Sequence, residues 1–131
     1  MRRWWPVLVP VLALVVLFGY GAWNGWSRTE VVKWDESSFG YHDNIVELSY
    51  VGSDCRQSVS AAVDETDERV KITLTETVRA RSCSDVGVIY HVEVPLDRPV
   101  GDRQIVDGAC QSDAWADRPA CQERELVITV E

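Results

Sequence analysis

The longest uninterrupted run of apolar residues lies near the start of the chain, over residues 6–26. It contains no charged side chain and a single amide, Asn24. A helix over this run would be ~30 Å long, which matches the hydrocarbon core of a bilayer. Aromatic side chains stand at both ends, where their amphipathic rings favour the membrane interfaces. The pattern predicts one transmembrane helix, flanked by Trp4, Trp5, Tyr20, Trp23 and Trp26.

Beyond residue 44 the hydrophobic pattern changes to an alternation with a period of two, which is typical of half-buried β-strands. Residues 45–51, for example, place Val46, Leu48 and Tyr50 on one face and polar residues on the other. β-Branched residues are frequent in these segments, which also favours strands. The strands predicted in this way cover residues 45–51, 59–63, 69–78, 86–96, 104–106 and 126–130. Val31, Val32 and Trp34, in the polar segment before them, are a further candidate for a short first strand.

The clearest predicted hairpin joins residues 59–63 to residues 69–78 through an acidic turn at residues 64–68. The second strand has the cleaner alternation, with charged residues and threonines on its outward face. Residues 59–68 also fit a helical period, but their β-branched content favours a strand. The residues expected to face inward on the second strand are Val70, Ile72, Leu74 and Val78.

These segments predict an all-β domain of six to seven antiparallel strands, preceded by one N-terminal transmembrane helix. The strands would form either a small sandwich or a single curled sheet. The roughly 100 residues after the anchor suit one domain. The predicted organisation is a cytoplasmic N-terminus (1–5), a transmembrane anchor (6–26), a juxtamembrane linker (27–44) and an extracytoplasmic, disulfide-linked β domain (45–131).

Four cysteines lie in the predicted domain, and none lies in the anchor. They form no Cys-x-x-Cys pair, so zinc and thiol-redox sites are disfavoured, and an even set behind an export signal indicates disulfides. Folding the 59–78 hairpin about its turn brings Cys55 and Cys83 to the same end. Among the three connectivities that four cysteines allow, we therefore predict Cys55–Cys83 and Cys110–Cys121.

The orientation of the anchor follows mainly from these cysteines. Arg2 and Arg3 precede the apolar run, but Arg28 and Lys33 follow it, so the excess of positive charge on the inner side is slight. Disulfides require the domain to lie outside the cytoplasm, which predicts a single-pass protein with its N-terminus inside. A cleaved signal peptide ending near residues 19–21 is the alternative.

The predicted domain is strongly acidic. All 21 acidic residues and 11 of the 13 basic residues lie after residue 27, which gives this part a formal charge of −10. Such a surface repels phosphate backbones, and nucleic acid is therefore excluded as a partner. The predicted partners are the membrane, through the N-terminal helix, and an envelope protein whose identity the sequence does not reveal.

The titratable side chains form no recognisable catalytic, cofactor-binding or metal-binding motif. Glu76 falls on the apolar face of its strand, and we expect it at the rim of the sheet beside Arg56 or Arg81. His91 and Glu93 share one strand face, where we expect a surface pair without a third metal ligand. The sequence therefore predicts no catalytic residue, no cofactor and no metal ligand.

Three motifs follow one another between residues 83 and 108. They are Cys83-x-Asp85-Val86-Gly87, Val92-x-Val94-x-Leu96-Asp97-x-Pro99-Val100-Gly101-Asp102-Arg103 and Val106-Asp107-Gly108. Together with the strand, cysteine and hairpin before them, over residues 45–108, they resemble small actinobacterial envelope proteins, membrane-anchored or secreted, of unknown function. The resemblance implies a location in the cell envelope and brings no activity and no catalytic residue.

The segment between Cys110 and Cys121 is predicted to be a polar loop with Trp115 at its centre. A disulfide across such a loop holds it in few conformations and lowers the ordering cost of binding. Tryptophan and arginine are also frequent in binding hot spots. We therefore predict a contact surface, with the alternative that Trp115 folds back as a lid over the sheet. The predicted contact residues are Trp115, Asp113, Asp117 and Arg118.

Taken together, these features predict a non-catalytic, membrane-anchored, extracytoplasmic interaction or structural module of the cell envelope. The main alternative is a domain that binds a small ligand or a cation, which would require the sheet to enclose a pocket. A hydrolase is a third hypothesis. It would require Glu76 or His91 to lie in a cleft and to have a shifted pKa.

Overall fold

The fold was determined from a computed structural model, which describes residues 26–79 and 83–122. The predicted anchor and the predicted last strand (126–130) lie outside these residues. Within them, no helix is long and apolar enough to cross a membrane. They contain seven strands in two sheets, a 3-10 helix and one short α-helix. These elements are β1 (Ser27–Val32), β2 (Gly40–His42), β3 (Ile45–Ser53), β4 (Arg56–Glu65), β5 (Arg69–Arg79), β6 (Gly87–Pro95), β7 (Gln104–Asp107), the 3-10 helix Gly108–Gln111 and α1 (Pro119–Gln122).

The first sheet is built around β5, which pairs along one side with β4 as the predicted hairpin. Its other side pairs with β1 over residues 74–79 and with β7 over residues 69–72. β1 and β4 are antiparallel to β5, but β7 is parallel to it. The prediction of purely antiparallel strands is therefore wrong for β7, because the chain returns to β5 from the other sheet rather than through a hairpin.

The second sheet has the order β2-β3-β6 and is antiparallel throughout. β3 and β6 pair over the whole length of both strands, from Ile45 opposite Pro95 to Ser53 opposite Gly87. On the other side of β3, Trp34 forms an isolated bridge with Tyr50. β3 is thus the central strand of this sheet, as β5 is of the first.

The core lies between the two sheets and contains the inward residues of both. On β5 every second side chain from position 70 to position 78 is buried, as the period of two predicts. The all-β prediction is therefore confirmed for the described residues, and two sheets form rather than a single curled one. The core cluster consists of Val32, Trp34, Val46, Leu48, Tyr50, Val70, Ile72, Leu74, Val94, Leu96 and Val100.

Residues 27–44, predicted as a juxtamembrane linker, contribute β1, β2 and the bridge of Trp34 to Tyr50. β1 pairs with β5 at six positions, and Trp34 is 1% exposed. The Trp34 indole Nε1 donates to the carbonyl of Ile72 at 3.2 Å, and its backbone N–H donates to Asp107 Oδ2 at 3.1 Å. Trp34 thereby fills the space where β1 and β7 meet along β5. Within the described residues, the β structure therefore begins at Ser27 rather than at residue 45.

Both predicted disulfides are confirmed. Cys55 is bonded to Cys83, and Cys110 is bonded to Cys121. The first joins the start of the β4–β5 hairpin to the segment that leads into β6, and so it links the two sheets. Two disulfides in so small a domain are typical of chains that fold in an oxidising compartment outside the cytoplasm.

Arg103 organises the turns at the end of the sandwich opposite the first disulfide. Its guanidinium donates to Glu65 Oε2 at 2.7 Å and to the carbonyls of Arg98 and Pro99 at 2.9 and 2.8 Å. The hydrogen bond from Arg103 holds the pKa of Glu65 below its ordinary value. The motif around residues 96–103 therefore has a structural role, since it fixes the acidic turn between β4 and β5.

Candidate functional site

The segment from Cys110 to Cys121, here called the disulfide loop, is fixed at its start on β5. The 3-10 helix before it is capped by Asp107, whose Oδ1 accepts the Ala109 N–H at 2.8 Å. Gly108 lies so close to Thr73 that any Cβ would overlap its hydroxyl. The loop contains turns and α1 rather than the irregular structure that its polar sequence predicts.

Trp115 connects the disulfide loop to β1. Its indole Nε1 donates to the Val31 carbonyl at 2.8 Å. The guanidinium of Arg118 lies 4.5 Å from the centre of the indole ring, and its Nε donates to the Ala114 carbonyl at 3.1 Å. Trp115 is half-buried, which favours the lid alternative without making it a core residue.

The other predicted contact residues, Asp113, Asp117 and Arg118, are all exposed. The structure brings the Arg118 guanidinium onto the Trp115 ring. The role of the three exposed residues as partner contacts stays a prediction.

A pocket of about 300 Å³ opens between the disulfide loop, β1 and the end of β3. We call it the Glu76 pocket after the most deeply buried charged residue that lines it. Trp115 and Arg118 line its loop side, and Glu30 lies directly opposite Glu76 in the register of β1 and β5. Its remaining walls are Val31, Val32, Val51, Gly52, Ser53 and Ala114.

Glu76 does not lie at the rim of the sheet, and that prediction is wrong. The residue is 1% exposed, on the inward face of the central strand β5. Its Oε1 accepts the Ser53 N–H at 3.0 Å, and its carboxylate lies against the Cα of Gly52, where a Cβ would be only 2.7 Å from Oε2. Burial raises the pKa of Glu76, and the nearby charge of Glu30 raises it further.

Arg56 lies near Glu76, as predicted, but its guanidinium is held by two tyrosines. It lies 3.6 Å above the ring of Tyr90 and donates to the Tyr50 hydroxyl at 3.3 Å. The Tyr90 hydroxyl in turn donates to the Ser53 carbonyl at 2.9 Å. The charge of Arg56 lowers the pKa of Glu76, but less than burial raises it. The pKa of Glu76 therefore stays above its ordinary value.

A second concave surface, here called the outer-face groove, runs along the solvent side of the second sheet. Its two ends have volumes of about 560 and 600 Å³ and share Ser38 and His91. One end carries Glu47 and Glu93, which lie directly opposite each other on β3 and β6. The other end is mainly apolar, with Val51, Ile89, Trp115 and Ala120 in its lining beside the polar Lys33, Asp35 and Ser49.

The two histidines of the chain lie on different strands of the second sheet, His91 on β6 and His42 on β2. His91 and Glu93 are both exposed, as predicted, with Ser49 and Glu47 as their cross-strand neighbours. His42 lies on β2, where its Nδ1 is 3.7 Å from a carboxylate oxygen of Glu47. In residues 26–79 and 83–122, no group of three or more His, Cys, Asp or Glu side chains is placed to hold a metal ion.

Comparisons with protein-family models, curated proteins and solved structures found no match for this chain. The candidate sites are therefore assigned from their own geometry. Sequence reasoning missed the role of Glu76, although a carboxylate at an inward position of a cleanly alternating strand was visible. It also missed Glu30, because the pairing of β1 with β5 is not encoded in any local pattern.

Proposed function

We propose that this chain is a non-catalytic interaction module of the cell envelope, anchored in the membrane through residues 6–26. In this proposal its β domain lies outside the cytoplasm and binds an envelope protein through the outer-face groove. The bilayer-length apolar run and the two disulfides support the topology. The resemblance of residues 45–108 to actinobacterial envelope proteins supports the location.

The observation that carries the proposal is the exposure of two apolar side chains at one end of the groove. Val51 and Ile89 are 64% and 67% exposed, although they lie side by side on paired strands. Trp115 and Ala120 extend this apolar end. Adjacent exposed apolar residues, bordered by polar ones, are typical of protein-binding surfaces.

The charge at the other end defines the chemistry of the partner. Glu47 and Glu93 are both exposed and lie directly opposite each other, and like charges in that arrangement are unfavourable. A basic group of the partner would offset their repulsion. Four residues of strand, or ~13 Å, separate this pair from Val51 and Ile89. The partner surface therefore carries a basic side chain and an apolar side chain about that far apart.

A site-specific crosslinking experiment tests the proposal. A photoreactive residue at position 89 of the full-length, membrane-inserted chain should crosslink to an envelope protein through a segment with basic and apolar side chains. The matched control is the same residue at position 62, which is exposed on β4 of the other sheet. Glu47→Lys with Glu93→Lys should suppress the crosslink at position 89.

Crosslinking at position 89 that does not exceed that at position 62 would contradict the proposal. So would a crosslinked segment that is acidic, or a yield that the two lysine substitutions leave unchanged.

A further inference from the structure

The Glu76 pocket contains a buried carboxylate that the architecture of the sheet does not require. The other inward positions of β5 are apolar, from Val70 to Val78, and a neutral residue at position 76 would complete that face. A carboxylate there costs folding free energy unless hydrogen bonds or an opposite charge compensate it. We propose that the Glu76 pocket binds the ammonium group of a small organic cation.

The hydrogen bonds of Glu76 separate it from a purely structural buried acid. Asp107, also 1% exposed, accepts backbone N–H groups with both carboxylate oxygens and lines none of the cavities described above. Within the described residues, Glu76 accepts a hydrogen bond only from Ser53, and it lines an open pocket. The second carboxylate, Glu30, faces it across the β1–β5 pairing. This arrangement leaves acceptor capacity for the N–H groups of a ligand.

The basic side chains around the pocket already have partners. Arg56 is held by Tyr50 and Tyr90, and Arg118 lies on Trp115. Arg28, next to the mouth of the pocket, has its Nε 3.8 Å from a carboxylate oxygen of Glu30. Among the described residues, none of these three side chains forms an ion pair with Glu76. The negative charge of the Glu76 carboxylate is therefore the charge that a bound cation would neutralise.

The remaining residues that line the Glu76 pocket indicate what kind of molecule carries the ammonium group. Val31, Val32 and Val51 are apolar, and Trp115 adds an aromatic side chain, of a kind that attracts cations and alkyl groups alike. A volume of about 300 Å³ suits a compact molecule with a few heavy atoms. The ligand class is therefore an ammonium with a short alkyl body. The inference is independent of the outer-face groove.

Calorimetric titration of the full-length chain in detergent micelles tests this inference, with n-butylammonium as the probe. Titration with n-butanol, which has nearly the same apolar body without the charge, measures binding that is not due to the ammonium. Glu76→Gln should weaken butylammonium binding at least tenfold, because the amide keeps the acceptor for Ser53 and removes the charge. Glu30→Gln should weaken it several-fold.

The matched control is Glu68→Gln, which removes one exposed carboxylate in the turn between β4 and β5 and should leave the affinity unchanged. A second readout is the ¹³C resonance of the Glu76 carboxyl, whose pKa should fall when butylammonium binds. The inference is overturned if butylammonium binds no better than butanol. It is equally overturned if Glu76→Gln binds as wild type does, or if Glu68→Gln loses as much affinity as Glu76→Gln. Because Glu30 is partly exposed, Glu30→Gln keeps the test valid should Glu76→Gln fail to fold.

Discussion

In the part of the chain that the structure describes, two carboxylates lie in the interior, and they are bonded differently. Asp107 joins three segments, because its two oxygens accept the N–H groups of Trp34 and Ala109 and its backbone pairs with Ile72. Glu76 accepts one hydrogen bond and faces a pocket. Burial raises the pKa of both groups. The number of hydrogen bonds, rather than the pKa, determines what each contributes to stability.

For Glu76, we expect the neutral substitution Glu76→Gln to stabilise the ligand-free domain by about 1–3 kcal/mol at neutral pH. The folded pKa lies above the ordinary value of 4.5, so the wild type loses stability as pH rises through the folded pKa. The advantage of Glu76→Gln should therefore vanish below pH 4.5. Thermal unfolding across this pH range measures it, with the exposed turn residue Glu68, as Glu68→Gln, for the control. A variant less stable than wild type at neutral pH would contradict this account.

Asp107→Asn should have the opposite effect. An amide has one acceptor oxygen, so its NH₂ group would face the N–H of either Trp34 or Ala109. Leaving one buried N–H unpaired should cost about 2–3 kcal/mol. Denaturant unfolding measures the loss, and Asp102→Asn on an exposed turn is the control. If Asp107→Asn were as stable as wild type, the two backbone hydrogen bonds would not be what holds β7 and Trp34 in place.

At the scale of elements, the disulfide loop is stabilised by its contact with β1. Trp115→Ala removes the hydrogen bond to Val31 and the whole half-buried indole ring. We expect a loss of about 1–3 kcal/mol, less than the ~3–5 kcal/mol of a fully buried aromatic residue. Trp115→Phe keeps most of the apolar contact and should lose only about 1 kcal/mol. An unchanged melting temperature for Trp115→Ala would instead mean that Trp115 is purely a partner contact.

The elements that could be predicted from the sequence are the strands that have one face toward the core and the other toward solvent. β3, β5 and β6 turn every second residue toward the core, and their faces follow from the alternation alone. β1 is an edge strand with mostly exposed side chains, so its pattern gave no comparable signal. The pairing of β7 with β5 depends on a chain crossover between sheets, which no local pattern records. The disulfides were predictable because the hairpin register fixes where Cys55 and Cys83 meet.

The candidate sites were predictable only in part, for the same reason. Trp115 and Arg118 were identified from residue type and from the loop that encloses them. The Glu76 pocket requires the β1–β5 register, which brings Glu30 opposite Glu76, and the return of the disulfide loop to Val31. Both are long-range contacts, and the sequence places their members far apart.

At the scale of the molecule, the prediction that the anchor remains attached rests on the bilayer-length run and its aromatic ends. Mass spectrometry of the intact protein from membranes should give a chain that includes residues 2–27, with or without Met1. A mature chain starting near Ala22 would show that a signal peptide has been removed instead. That result would leave the β domain and both disulfides unchanged, but it would remove the basis for a membrane-held module.

With the anchor in place, any mechanical load on the protein would enter the domain at Ser27, the first residue of β1. A pull along the strand would strain all six β1–β5 positions at once, whereas a pull away from the sheet would open them one after another. Neither disulfide encloses β1, so no covalent link prevents this peeling. The hydrogen bond from Trp115 to Val31 lies near the far end of β1. At that position it would resist the separation of β1 from β5 before Trp34 leaves the core.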